Sequence, residues 1–396
     1  MKKLSRFISA LIAMALMMTA VFATFDIQEE VNMDVSVVYF EQIEELKNNN
    51  CTVVDGYKVY DTISVNGQEV RLFSEPTMSL QEALDNYSDA YEMCVTAAEV
   101  YGISTSIDDE EFQSFAKVYA AMNENGSSEF IQECKEFAVF VDYYENIEKN
   151  QDILEAVFAD SVDTNIEELM PSSIQSTVAY GDVELEECEE PSEPTSTSYS
   201  TSAVVSYVSS WWNKTNNTDY PYHAEYYGLS TASNDYNDLD EGRSGQSTTR
   251  RNWSDCADFV SQCIVAGGIS QINSGGLLAY RNSSNWYYSN SKPSYTWGGA
   301  LNFFNHWSDR VGVASISSSL GVGDAVAIDI AGDGEAEHIV IIVSVTGTAD
   351  SSKYLASHSY DRYLYYYSNG SLQNFTLSYL YSQGWTIYGF EIDTAS

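Results

Sequence analysis

Cys256 is the residue in this chain whose type and setting best suit covalent chemistry. It opens the stretch Asp255-Cys256-Ala257-Asp258-Phe259-Val260-Ser261-Gln262-Cys263, which Ala266-Gly267-Gly268 closes. Phe259, Val260, Cys263 and Ile264 recur at the three-and-four spacing of a buried helical stripe. Gly267 supplies a C-terminal stop. Asp255 suits the N-cap, its carboxylate accepting free N–H groups of the first turn. Cys256 therefore falls at a helix N-terminus. There the dipole and unpaired N–H groups favour an anion, so the thiol is expected to ionise readily and act as a nucleophile.

A thiol nucleophile needs a base, and the chain has four histidines. His338 opens the apolar run His338-Ile339-Val340-Ile341-Ile342-Val343-Ser344-Val345, the pattern of a buried strand. His358 follows twenty residues later on the next strand candidate, Lys353–Ser359. Adjacent antiparallel strands bring such side chains together. The expectation is that His338 takes the thiol proton and returns it to a leaving amine. His358 would bond the far nitrogen of His338 and fix its tautomer, with Asp361 in reserve. The N–H of Cys256 would help hold an oxyanion. His223, in a polar loop, and His306, beside Trp307 on a helix face, read as local structural residues.

These residues need a frame. Helices are expected at Ser200–Trp212 and Trp297–Trp307, then strands at Val322–Ile330, His338–Val345, Lys353–Ser359, Arg362–Tyr367 and Trp385–Ile392. Helix first and antiparallel strands after is an α+β layout. The earlier part, 24–172, reads as mainly helical over Val35–Asn48, Ser79–Tyr101, Asp108–Asn123, Ser128–Lys149 and Asp152–Phe158. Thr52–Phe73 interrupts it with alternation around Asn66-Gly67, a hairpin signal. This part has no His and no constellation of catalytic residues. A solvated acidic face is the plain reading of its charge. Partner binding, folding assistance and shielding of the second domain are its possible roles.

Composition bounds the setting. Residues 1–23 read as a secretory signal peptide, with Lys2, Lys3 and Arg6 before the apolar run Ile8–Phe22 and with Val21 and Ala23 at the cleavage site. No later run is long and apolar enough for a span, so an exported, extracellular or wall-associated protein is expected. Ser, Thr, Pro and Glu dominate 173–197, a flexible linker. The second domain then covers 198–396. Net charge is −40. Residues 24–199 hold 40 acidic against 6 basic residues, and all seven Trp lie in 211–385. Such acidity argues against nucleic acid and anionic polymers as electrostatic partners. Six cysteines are too few for a disulfide scaffold. Cys256 and Cys263 stand about 10 Å apart along one helix, too far to bridge. A Cys51–Cys94 or Cys94–Cys134 bridge stays open, as does any pairing of Cys188. No Cys-x-x-Cys occurs, and no cofactor is expected. Asp329, Asp333, Glu335 and Glu337 crowd one turn, where calcium is conceivable. Their spacing is not that of an EF-hand, and an acidic hairpin turn accounts for them, so no metal is expected.

The nucleophile stretch, with Ala266-Gly267-Gly268, resembles the signature of the family called the Putative amidase domain, found in secreted bacterial proteins and grouped with NlpC-like and CHAP-like papain-fold cell-wall hydrolases. The Ser200–Trp212 helix, Trp286, Trp297, Gly323-Asp324, His338–Ile342 and Ser357-His358 follow in the family's order. The similarity covers about 198–390. Asp258 stands where the family usually has Asn, an added carboxylate that either raises the thiol pKa slightly or points into solvent. The resemblance implies a papain-like fold, a nucleophile helix packed on an antiparallel sheet that supplies the His. It also implies cleavage of peptidoglycan amides, at the muramoyl–alanine bond or within the stem peptide. Cys256, His338 and His358 are then the catalytic set, and Asp255, Trp286 and Trp297 face the substrate. The aromatic segment Tyr280–Tyr295 lines the cleft, or is ordinary core packing. Two other readings stay open: a non-catalytic cell-surface binding or adhesion module, and a thiol protease acting on proteins. Oligomeric state and wall anchoring are not encoded legibly.

Overall fold

The computed structural model describes residues 45–158, 199–221 and 255–395, apart from Asn66, Asn217, 276–278, Ser291 and 315–316. The expected leader at 1–23, the linker at 173–197 and the loop holding His223 lie outside the described residues. The first described part opens with short antiparallel strands. These are β1 (Thr52–Val54) and β2 (Tyr57–Val59), then β3 (Asp61–Val65) and β4 (Gln68–Leu72), then β5 (Glu75–Pro76) beside β2. Val65 pairs with Gln68, so the β3–β4 hairpin turns where Asn66-Gly67 predicts. Helices α1 (Leu80–Asn86), α2 (Ser88–Tyr101), α3 (Glu110–Ala121) and α4 (Ser128–Phe158) follow. Ser79 and Glu82 form a reciprocal capping box on α1. Asp109 caps α3 by accepting from the Glu111 N–H. The two helices expected over 128–158 are one.

The second part begins with α5 (Thr201–Trp211), capped by Ser200. The nucleophile stretch forms α6 (Cys256–Ala266), followed by the single turn α7 (Tyr295–Gly298) and by α8 (Ala300–Val311). Strands β6 (Ala325–Asp329), β7 (His338–Val345), β8 (Lys353–Ser357), β9 (Arg362–Tyr363), β10 (Tyr365–Ser368) and β11 (Ser371–Asn374) come next. Leu364 at φ 64° breaks β9 from β10, where one strand is expected. Helix α9 (Leu377–Ser382), capped by Thr376, is not expected from the sequence; β12 (Thr386–Phe390) ends the sheet. All seven strands pair antiparallel in the order β11-β10-β9-β8-β7-β6-β12. The fold is α+β.

The central strands are covered on both faces. Ala325, Ala327, Ile339, Ile341 and Ala356 pack with α5, α6 and the tryptophans of the second part. Val326, Ile328, Val340, Ile342 and Leu355 share one core with α2, α3 and α4 of the acidic part. This period-two division explains why β6 and β7 read as continuous apolar runs. It also shows that the acidic helices are not solvated on every side: one face of them seals the sheet. Cys51, Cys94, Cys134, Cys256 and Cys263 are free thiols. Among the described residues, no helix is long and apolar enough to cross a membrane.

Gly267 ends α6, but the left-handed residue is Gly268, at φ 104°. Gly267 is needed for space: an added Cβ would stand 2.2 Å from the Tyr199 ring and 2.8 Å from Val204. Gly267→Ala should therefore push α5 off α6 and cost about 1–3 kcal/mol in denaturant unfolding. A variant as stable as the parent would contradict this packing.

Candidate active site

Cys256 occupies the first turn of α6 and is 5% exposed. His338 occupies the first position of β7 and is 1% exposed. Both line one cavity of about 280 Å³. The backbone N–H of Ile339, next to His338, reaches the sulfur, as do those of Ala257 and Cys256 itself. Thus α6 and β7 bring nucleophile and base candidates to one site, with N–H donors gathered around the sulfur. No hydrogen bond joins the two side chains: both ring nitrogens of His338 lack a partner. Such contacts often tighten only with substrate bound.

Burial reverses the expected ionisation. Loss of water pushes the Cys256 thiol up to about 11, and the Asp255 charge adds to it against the N–H donors. Burial, helped by the Arg362 charge, brings the His338 imidazole down to about 3. Thiol and neutral imidazole, rather than an ion pair, are the forms held here. The helix terminus alone does not give a reactive thiolate, because desolvation outweighs it.

His358 is placed elsewhere than expected. Its Nε2 donates to the Trp211 carbonyl at 2.8 Å, its Nδ1 is hydrogen-bonded with Asp255 Oδ2 at 2.8 Å, and its ring stacks on Phe259 at 3.8 Å. Both nitrogens are thus engaged, and His338 is not their partner. His358 fixes Asp255, the residue before the nucleophile. Asp255 in turn makes no side-chain cap on α6, since its carboxylate is turned to His358. Asp361 is buried but makes no bond to His338 either.

Asp258 does not reach solvent. It accepts from Trp297 Nε1 and, at 2.6 Å, from Gln262 Nε2. Burial, then the charge of Asp255 and a hydrogen bond with it, push its carboxyl well above the usual range. Its hydrogen bond with Asp255 favours the protonated carboxyl, the form that the amide of an Asn would imitate.

The expected substrate-facing tryptophans are core residues. Trp286 and Trp297 are fully buried, lie 5.2 Å apart, and neither lines the cavity. Trp286 Nε1 donates to Ser261 Oγ at 3.0 Å, so both indoles brace α6. The cavity walls come instead from Gly299–Asn302 at the start of α8, Ser359, the Glu335–Glu337 turn, and residues of α3 and α4. Ser114, Phe115, Lys117 and Val118 of α3 line it together with Cys256 and His338. Lys117 Nζ donates to Asp142 Oδ1 at 3.0 Å and to Glu145 Oε1 at 2.8 Å. Burial works against the ammonium, but Asp142, Glu145 and Glu337 outweigh it and hold Lys117 charged. The sequence does carry a signal for these residues. Lys117 sits inside Phe115-Ala116-Lys117-Val118-Tyr119, and Asp142 inside Phe140-Val141-Asp142-Tyr143. A lone charge in an apolar helical run marks a buried pair.

Two outcomes follow. Alkylation of Cys256, followed on its own peptide by mass spectrometry, should keep accelerating from pH 7 through pH 10; a plateau below pH 7 would show a thiolate already formed. Asp258→Asn should leave stability within about 1 kcal/mol, whereas Asp258→Leu orphans Trp297 Nε1 and Gln262 and should cost about 1–3 kcal/mol per donor in chemical unfolding.

Comparison with known proteins agrees with one part of the chain. No curated protein and no solved structure matches it. Residues 198–381 match the family model described as "Putative amidase domain". The match supports placing this segment in the amidase-domain family, and it suggests an amide-bond hydrolase.

Proposed function

We propose that the chain is an exported cysteine hydrolase cleaving amide bonds of peptidoglycan, with the second part as a papain-like catalytic domain. The observation that carries this reading is the shared cavity: Cys256 at a helix N-terminus and His338 at a strand start, with backbone N–H groups around the sulfur. His338 removes the thiol proton as the sulfur attacks the amide carbonyl. The N–H groups of Cys256 and Ala257 take up the charge on the carbonyl oxygen. The C–N bond then breaks, the amine leaves with the proton from His338, and a thioester remains. Water, activated by His338, hydrolyses it and restores the thiol. His358 and Asp258 act by holding Asp255, and with it the first turn of α6, in place.

The wall substrate and export are supported by the leader-like segment 1–23 and by the family resemblance of the motif around Cys256. Cys256 is 5% exposed, and residues of α3 and α4 contribute to the cavity wall, so a thin, extended substrate suits this cavity.

Purified peptidoglycan digested with the chain should release new amino or stem-peptide termini, identified by mass spectrometry. Cys256→Ala and His338→Ala should each lower the rate by 10³-fold or more, as loss of a nucleophile or its base does. His358→Gln should lower it by no more than about 100-fold, the cost of a small misplacement. Full turnover by Cys256→Ala would sink the assignment, and casein cleavage without muropeptide release would move the substrate to proteins.

A further inference from the structure

We propose that Asn302 of α8 and Ser114 of α3 hold the substrate in the Cys256 cavity by hydrogen bonds to its uncharged amide groups, so that each part of the chain supplies one contact. That assignment rests on the proposed reading that substrate enters this cavity. Besides Cys256 and His338, three uncharged polar side chains line it: Ser114, Asn302 and Ser359. Ser359 Oγ is occupied, accepting the Asp255 N–H at 3.1 Å. Ser114 is exposed and Asn302 half-buried. Neither side chain makes a hydrogen bond among the described residues. In the same cavity, both ring nitrogens of His338 lack a partner at 1% exposure. Buried polar atoms left unpaired are costly, and a substrate amide entering the cavity would relieve them.

The start of α8 is built around the Asn302 amide. Gly299 is the N-cap and makes no side-chain cap. An added Cβ there would stand 2.6 Å from Asn302 Oδ1. The Gly299 backbone, at φ −91° and ψ 131°, is open to any residue. The glycine therefore supplies room rather than a special conformation. With Oδ1 set against Gly299, the two Nδ2 donors are left for a ligand. The Ser114 hydroxyl can donate or accept. Together they match the carbonyl oxygens and N–H groups of an extended peptide.

The charged groups of the wall set the substrate class. Lys117 is bonded to Asp142 and Glu145, and Lys149 to Glu145 and Glu335. Both ammonium groups are already paired, while Glu110 and Glu111 add further carboxylates to the wall. A substrate carboxylate beside the scissile bond would meet like charge there, which is unfavourable. Uncharged amides carry no such penalty.

The test uses the full chain carrying Cys256→Ala, which separates binding from cleavage. The probe is a stem peptide acetylated at its amino end and amidated at every carboxyl. Calorimetric titration should show one saturable site. Adding Asn302→Ala or Ser114→Ala should each raise Kd about fivefold, the worth of one hydrogen bond, with Tm unchanged, because neither side chain is bonded within the fold. The same peptide with free carboxylates should bind more weakly. With Cys256 intact, each loss should appear in KM rather than in kcat. Absence of saturable binding at millimolar peptide, unchanged affinity in either variant, weaker binding accompanied by a fall in Tm, or tighter binding of the free-carboxylate peptide would overturn the assignment. Turnover by Cys256→Ala would instead refute the nucleophile and leave these two contacts standing.

Discussion

The sheet is buried on both faces, and the rest of the structure follows from that constraint. In β6 and β7, Ala325, Ala327, Ile339 and Ile341 face the α6 side, and Val326, Ile328, Val340 and Ile342 face α2, α3 and α4. Neither face can be opened to water without exposing a continuous apolar surface. The acidic helices are therefore part of the second part's core. The polar ends of the same strands, Asp329 and His338, are buried as well.

Burial then decides the charge states. The thiol of Cys256 and the imidazole of His338 are both held neutral by loss of water. The Asp258 carboxyl is pushed up by burial and by Asp255, against the pull of the Trp297 and Gln262 donors. Lys117 stays charged only because several carboxylates surround it. In each case desolvation opposes the ion, and a partner of opposite charge settles whether it survives. The thiol and imidazole that line the cavity are the groups burial keeps neutral, while Lys117 on its wall stays charged.

Much of the frame was legible beforehand. The stripe Phe259, Val260, Cys263 and Ile264 marked α6, the run from His338 marked β7, and Asn66-Gly67 marked a hairpin, because local periodicity reports which faces are buried. Other readings failed for one physical reason: they depended on contacts distant in sequence. The expected Asp255 cap gives way to a bond with His358, 103 residues away. Trp286 and Trp297 became braces of α6 rather than a substrate platform. Helix α9 is too short for its periodicity to stand out.

The sequence by itself determined the element types, the placing of Cys256 at a helix start and of His338 at a strand start, and the uneven charge. These are properties of neighbouring residues and their spacing. Only the tertiary structure decided that α3 and α4 wall the Cys256 cavity, that His358 serves Asp255, and that Asp142 meets Lys117. Those facts concern which surfaces exclude water from which groups, and that is settled by packing between layers rather than by any one segment.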